Sequence, residues 1–222
     1  MLEALDLAAQ RGNLRLFSAL NFSVGPGRAL VVTGANGTGK TTLLRILAGL
    51  CTPTGGRVRW QGEDVPPHAE RLRENVLYCG HLPALKDELT SGENLSALVE
   101  LAGESANSVA VHEALTRVEL SRQADLPARA LSQGQRRRVG LARLALTRRP
   151  LWLLDEPTTA LDTSGVTLLT QLLVAHMERG GCAVVATHQA LDLPAAHLKS
   201  LSLELSTSFS TPSSVSLSPV LS

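Results

Sequence analysis

The sequence predicts an α/β fold: a parallel sheet core covered by helices, with an N-terminal antiparallel β subdomain and an inserted helical subdomain. Three observations carry this. The runs ALVVT at 29–33, LWLL at 151–154 and AVVA at 183–186 are apolar throughout, as in strands buried on both faces of a parallel sheet. Longer stretches with helical spacing alternate with them. The segment from about 93 to 130 has no such strand and reads as helical.

Taken in order, the first 28 or so residues read as two antiparallel strands turning at Arg11-Gly12-Asn13. The strand at 29–33 ends in a Gly-rich turn, and a helix follows from Lys40 to Leu50 with Leu43, Leu44, Leu47 and Leu50 on one side. The helical subdomain is expected at about 82–135, with breaks at Gly103 and Asn107 and a stop at Pro127. Ser132 is a good N-cap for a further helix running to about Thr147. Residues 1–204 read as a single domain. Glu204 is the last charged residue, and the Ser-rich stretch 205–222 is expected to be a disordered tail.

The composition excludes several classes. The chain has 222 residues, 44% of them hydrophobic and 18% charged, with a net charge of +1. That balance exerts no bulk pull on nucleic acid or anionic lipid, so no nucleic-acid partner is expected. Aromatics are 3%, too few for base-stacking platforms. The three cysteines form no CxxC and the six histidines no HxxxH or HExxH spacing, so neither a disulfide framework nor a structural metal is expected. No run reaches the roughly 18 apolar residues of a membrane span, and MLEALDLAAQ does not read as a signal peptide.

The strongest signal is GANGTGKT: Gly34, Ala35, Asn36, Gly37, Thr38, Gly39, Lys40 and Thr41, followed by Thr42. It matches GxxxxGK[ST] between a buried strand and a helix. Glycines let the backbone wrap closely around phosphates, and the loop N–H groups with the helix N-terminus attract anions. Lys40 can reach β- and γ-phosphates, and the Thr41 hydroxyl can bind Mg²⁺. LWLL runs into Asp155 and Glu156. Asp155 at the strand's C-terminal end can reach the Mg²⁺ shell, and Glu156 can polarise a water aimed at the γ-phosphate. Leu131-Ser132-Gln133-Gly134-Gln135 opens a second helix whose exposed N–H groups suit a phosphate.

In this order the motifs resemble an ABC-type ATPase subunit over residues 1–204: Walker A at 34–41, signature at 131–135, Walker B at 151–155, Glu156, a D-loop at 159–162 and His188. The resemblance implies a P-loop NTPase (RecA-like) core in an ABC ATPase cassette, with ATP and Mg²⁺ as cofactors. It further implies a head-to-tail homodimer. Ser132 and Gly134 of one chain would then serve the nucleotide held by Lys40 of the other, and Asp162 would help join the two sites. His188 would hold the γ-phosphate and the attacking water.

Two departures stand out. His81 occupies the position where the family usually carries a Gln touching Mg²⁺ and the attacking water, and it is the third residue expected to act in catalysis. An imidazole can imitate the amide's contact with water, and unlike an amide it can gain a proton in mild acid. The N-terminal aromatic that often stacks on adenine is missing from AQRGN at 9–13, leaving Arg11 as the stacking candidate. Gly80-His81 before LKDELTSGENL, Trp60-Gln-Gly62 and Ala186-Thr-His-Gln189 are similar to the ATP-binding subunit of the bacterial cytochrome c maturation haem exporter. That similarity implies a peripheral protein on the cytoplasmic face of the inner membrane, paired with integral membrane subunits. The rival readings are another small ABC exporter and a non-transport ABC ATPase. Without a CxxCH the chain is not expected to bind haem itself. Arg136, Arg137 and Arg138 read as a solvated helix face with some ion pairing.

Overall fold

The computed structural model describes residues 1–204, and the 205–222 tail lies outside the described residues. Strands β1 (Leu2–Arg11) and β2 (Leu14–Val24) form the expected hairpin about Gly12. With β4 (Gly55–Trp60) and β5 (Glu63–Asp64) they make an antiparallel sheet in the order β2-β1-β4-β5. The second sheet is parallel, in the order β6-β7-β8-β3-β9. Its strands are β3 (Ala29–Thr33), β6 (Val76–Cys79), β7 (Leu151–Asp155), β8 (Cys182–Ala186) and β9 (Leu198–Ser202).

The apolar runs form strands because both faces of this sheet are covered. Ala29, Val31, Trp152, Leu154, Ala183 and Val185 face one core, with helices α3 (Ser91–Glu100), α4 (Ser108–Arg117), α5 (Gln133–Leu146) and α6 (Thr163–Glu178). Leu30, Val32, Leu151, Leu153, Val184 and Ala186 face the other, with α1 (Lys40–Leu47) and the antiparallel sheet. The strict period of two, apolar on each face, distinguishes these strands from the half-exposed β4. Short α2 (Glu70–Asn75) precedes β6.

Helices α3 and α4, with 3₁₀ turns at Ser121–Gln123 and Ala128–Ala130, fill the chain between β6 and α5. Thr90 and Glu93 cap α3 reciprocally, and Asn107 caps α4 through the Ala110 N–H. Asn107 thus breaks the helical stretch by starting a new helix. Beneath α6, His176 lies flat on Trp152, the ring centroids 3.8 Å apart at 9°. A Cβ on Gly181 would lie 2.2 Å from that imidazole, so glycine is required there. The cysteines are free, with Cys182 buried and Cys51 and Cys79 half-buried. No helix among the described residues is long and apolar enough to cross a membrane.

Candidate functional site

The parallel sheet sets the site. Four neighbouring strands, β6, β7, β8 and β3, lead at their C-terminal ends into His81, Glu156, His188 and the 34–41 loop respectively. Ligands of open α/β sheets bind at this edge. Cross-strand bonds fix the exits: Glu156 N–H donates to the Ala186 carbonyl at 2.8 Å, and Thr187 N–H to Val32 at 3.1 Å. The Thr158 and Thr187 hydroxyls meet at 3.0 Å.

The 34–41 loop turns through glycines at positive φ: Gly34, Gly37 and Gly39 at 141°, 87° and 102°. At Gly34 a Cβ would come within 2.3 Å of the Leu203 carbonyl, so only glycine fits. Buried Lys40 donates to the Gly34 carbonyl at 2.8 Å and lies 3.6 Å from Glu156 Oε1. His188 Nε2 is 2.9 Å from both Lys40 Nζ and Asn36 Oδ1, and 3.2 Å from Glu156 Oε1. One imidazole nitrogen is thus shared among an ammonium, an amide oxygen and a carboxylate. The ammonium can donate only to an unprotonated Nε2, whereas the two oxygens accept only from a protonated one, so the tautomer decides which contacts form.

Thr41 Oγ1 donates to Asp155 Oδ1 at 3.2 Å, while Asp155 Oδ2 is buried with no hydrogen-bond partner. An unpartnered buried carboxylate oxygen is costly, and a divalent cation arriving with a nucleotide would satisfy it. The residues present fit Mg²⁺ on that ground. No cluster of three His, Cys, Asp or Glu exists among the described residues, so the remaining ligands would have to come from phosphate and water. A cavity of 480 Å³ joins Lys40, Thr41, Thr42, His81, Glu156 and Arg11. It brings both departures from the family pattern, His81 and Arg11, beside the phosphate loop.

The 131–135 segment is elsewhere. Ser132 caps α5: its Oγ accepts from the Gln135 N–H at 3.2 Å, and Gln135 Oε1 accepts from the Ser132 N–H at 2.9 Å. Ser132, Gly134, Gln135 and Asp162 line a separate cavity of 440 Å³ that shares no residue with the first. Leu131 is buried in the core and Gln133 is exposed. A Cβ on Gly134 would meet the Ala160 carbonyl at 3.0 Å, so the 159–162 turn packs on the helix start. Asp162 caps α6 through the Gly165 N–H at 2.9 Å and pairs with Arg138 at 2.7 Å. Those two contacts, the amide first, hold its carboxyl below the usual carboxylate range.

One sequence expectation is overturned. Arg137 and Arg138 are not a solvated face but 7% and 8% exposed. Arg138 joins Glu119 to Asp162, and Arg137 bonds carbonyls around Glu156. The expected ion pairing is present at Arg136, half-buried and 2.5 Å from Asp87, and at Arg138. The acceptors lie 18 to 57 residues away in sequence, so no local pattern reveals them.

Residues 17–159 match the ABC transporter family. The chain belongs to that family. It is 45% identical over 203 residues to the "Cytochrome c biogenesis ATP-binding export protein CcmA" of Dechloromonas aromatica, covering 91% of this chain and 100% of that one. The protein of the same name from Escherichia coli K12 is 44% identical, covering 91% and 96%. Among solved structures, the ATP-binding cassette MJ0796, in a dimeric post-hydrolysis state bound to ADP and Pi, superposes with a TM-score of 0.80. It is 25% identical, covering 92% of this chain and 96% of that one. As an ABC transporter ATPase, the chain binds nucleotide and hydrolyses ATP. The architecture expected from the sequence, an ABC cassette with a parallel core and an antiparallel sheet, is the one observed.

Proposed function

We propose that the chain is the ATP-hydrolysing subunit of a membrane-bound export complex serving cytochrome c maturation, acting on the cytoplasmic face of the bacterial inner membrane. Its curated relatives are named as cytochrome c biogenesis ATP-binding export proteins. The observation that carries the chemistry is the convergence of Lys40, His188, Asn36 and Glu156 within 3.6 Å on the phosphate-loop edge. Residues 1–204 are read as one cassette domain, with a helical subdomain at about 82–135. The cassette works as a homodimer bound to integral membrane subunits, and haem handling is left to those subunits.

In this reading the amides of Gly34–Thr42 and the Lys40 ammonium hold the triphosphate. Mg²⁺ would be held by Thr41 and Asp155 and would supply positive charge beside the γ-phosphate. Glu156 accepts a proton from the attacking water, and His188 donates from Nε2 toward the γ-phosphate. His81 orients the same water from the far wall, and Arg11 covers the base. The separate 131–135 cavity supports completion across chains: Leu131, Ser132, Gln133, Gly134 and Gln135 of one chain close on the nucleotide of the other, with Asp162 at the joint.

The test uses Lys40→Ala, which removes the charge facing the phosphates. ATP turnover should fall at least about a hundredfold. Cells carrying only this variant should accumulate apocytochrome c, measured by haem staining of membrane fractions. Wild-type turnover together with normal staining would refute the reading.

A further inference from the structure

The described part of the molecule holds one buried cation whose hydrogen bonds all go to main chain. Arg137 lies in the second turn of α5 and is 7% exposed. Its Nε donates to the Pro157 carbonyl at 3.2 Å. Its Nη1 donates to Gly80 at 3.3 Å and His81 at 2.7 Å. Its Nη2 donates to Asp155 at 3.2 Å and also to Glu156. Arg136 and Arg138 on either side are ion-paired with carboxylates. Burial pushes the Arg137 guanidinium below its usual value. A buried charge held by carbonyls alone is a costly arrangement. What it supplies is geometry: a planar fork cross-links the start of α5, the Gly80–His81 loop and the exit of β7.

The exit of β7 needs that support. Glu156 has φ 47°, a left-handed conformation that side-chain-bearing residues seldom adopt. Its N–H is fixed to Ala186 from one side and its carbonyl to Arg137 from the other. The direction of the carboxylate therefore depends on a peptide clamped at both ends. The same guanidinium sets the height of the loop bearing His81.

We infer that Arg137 is a positioning residue for ATP hydrolysis, holding the Glu156 carboxylate and the His81 loop in fixed relation to the helix that begins at Ser132. The inference rests on the assignment of Glu156 as the group that activates water. It also gives α5 a second role, because any shift of its N-terminus reaches the chain's own Glu156 and His81 through one side chain.

The test compares full-length wild type with R137K, a cation with three donors and no planar fork. R137K should lower kcat about tenfold while KM for ATP stays within about threefold, because the groups that bind phosphate are untouched. In the Glu156→Gln background the same change should lower the residual rate clearly less, since only the His81 loop is left to position. A folded R137K with wild-type kcat overturns the inference, as does an equal loss of rate in both backgrounds. If R137K does not fold, R137Q, neutral and shorter, is judged by the same criteria. A wild-type chain without turnover would sink the assignment of Glu156 and this inference together. Wild-type turnover with an unaffected variant sinks this inference alone.

Discussion

Helices α1 and α5 begin in opposite ways. Helix α1 follows Gly39 at φ 102° and has no side-chain cap, whereas α5 starts with a complete capping box between Ser132 and Gln135. Both N-termini carry the positive end of a helix dipole. The first leaves its donors to an outside anion and tolerates no side chain at Gly39, where a Cβ would meet Leu16 Cβ at 3.0 Å. The second satisfies its end from its own sequence and accepts Gln133, which is exposed. A terminus that leaves its donors free is therefore built from backbone, and one that satisfies its own end from side chains. Damage near the first should register as lost chemistry, and damage at the second as lost stability and lost partnership.

The largest expected effect is on the α1 side. Glu156→Gln keeps shape and removes the proposed base, so turnover should fall about 10²–10⁴-fold, with ATP retained and two chains held together on a sizing column. A variant that turns over normally would break the comparison at its stronger end. Mixing Lys40→Ala chains with Ser132→Arg chains sharpens it. If each nucleotide site draws on both termini, a mixed dimer carries one site damaged twice and one intact, and activity returns. No recovery would mean that the sites are not completed across chains.

The next effect touches neither terminus and serves as a control. Burial on Trp152 lowers the His176 pKa to about 4 from an ordinary 6.5. The unfolded chain takes up this proton first. Stability is therefore complete above pH 6.5 and lost as the pH falls from there to about 4. The loss amounts to about 3 kcal/mol at full protonation of the unfolded state. Urea titrations across that range should show the decline, and His176→Phe should flatten it. A wild-type stability unchanged between those limits would contradict the buried neutral ring.

The smallest effect belongs to α5. Ser132→Ala should cost about 1 kcal/mol of stability through the lost cap, read as a fall of a few degrees in Tm. Its nucleotide affinity as a single chain should be unchanged. A weakened affinity in the isolated chain would mean that the two cavities communicate without a partner.

How much of this was legible in the sequence follows from the range of each interaction. The 29–33, 151–154 and 183–186 strands could be read because burial on both faces writes an unbroken apolar run. The phosphate loop and the Ser132 cap could be read because their parts lie within eight residues of one another. Strand β4 was not read: GGRVRW mixes glycines and arginines, and only Val58 and Trp60 are buried. The interior positions of Arg137 and Arg138 were hidden because their acceptors come from distant loops. His81 and His188 were singled out by resemblance, and the contact of His188 with Glu156 and the shared cavity with His81 follow from strand order, which no local pattern encodes.

Strand β3, which delivers the phosphate loop, lies between β8 and β9, the last two strands of the described chain. Gly34 itself is closed over by the carbonyl of Leu203. During synthesis the loop-bearing strand therefore emerges early and stands with both edges open until the final strands leave the ribosome. At ordinary elongation rates that interval is roughly 10–30 s. Nascent chains are exposed to edge-to-edge pairing throughout it, and a chain that stops before β9 leaves Gly34 without the Leu203 carbonyl that closes over it. The turn at Gly34 is thus complete only once Leu203 has been made.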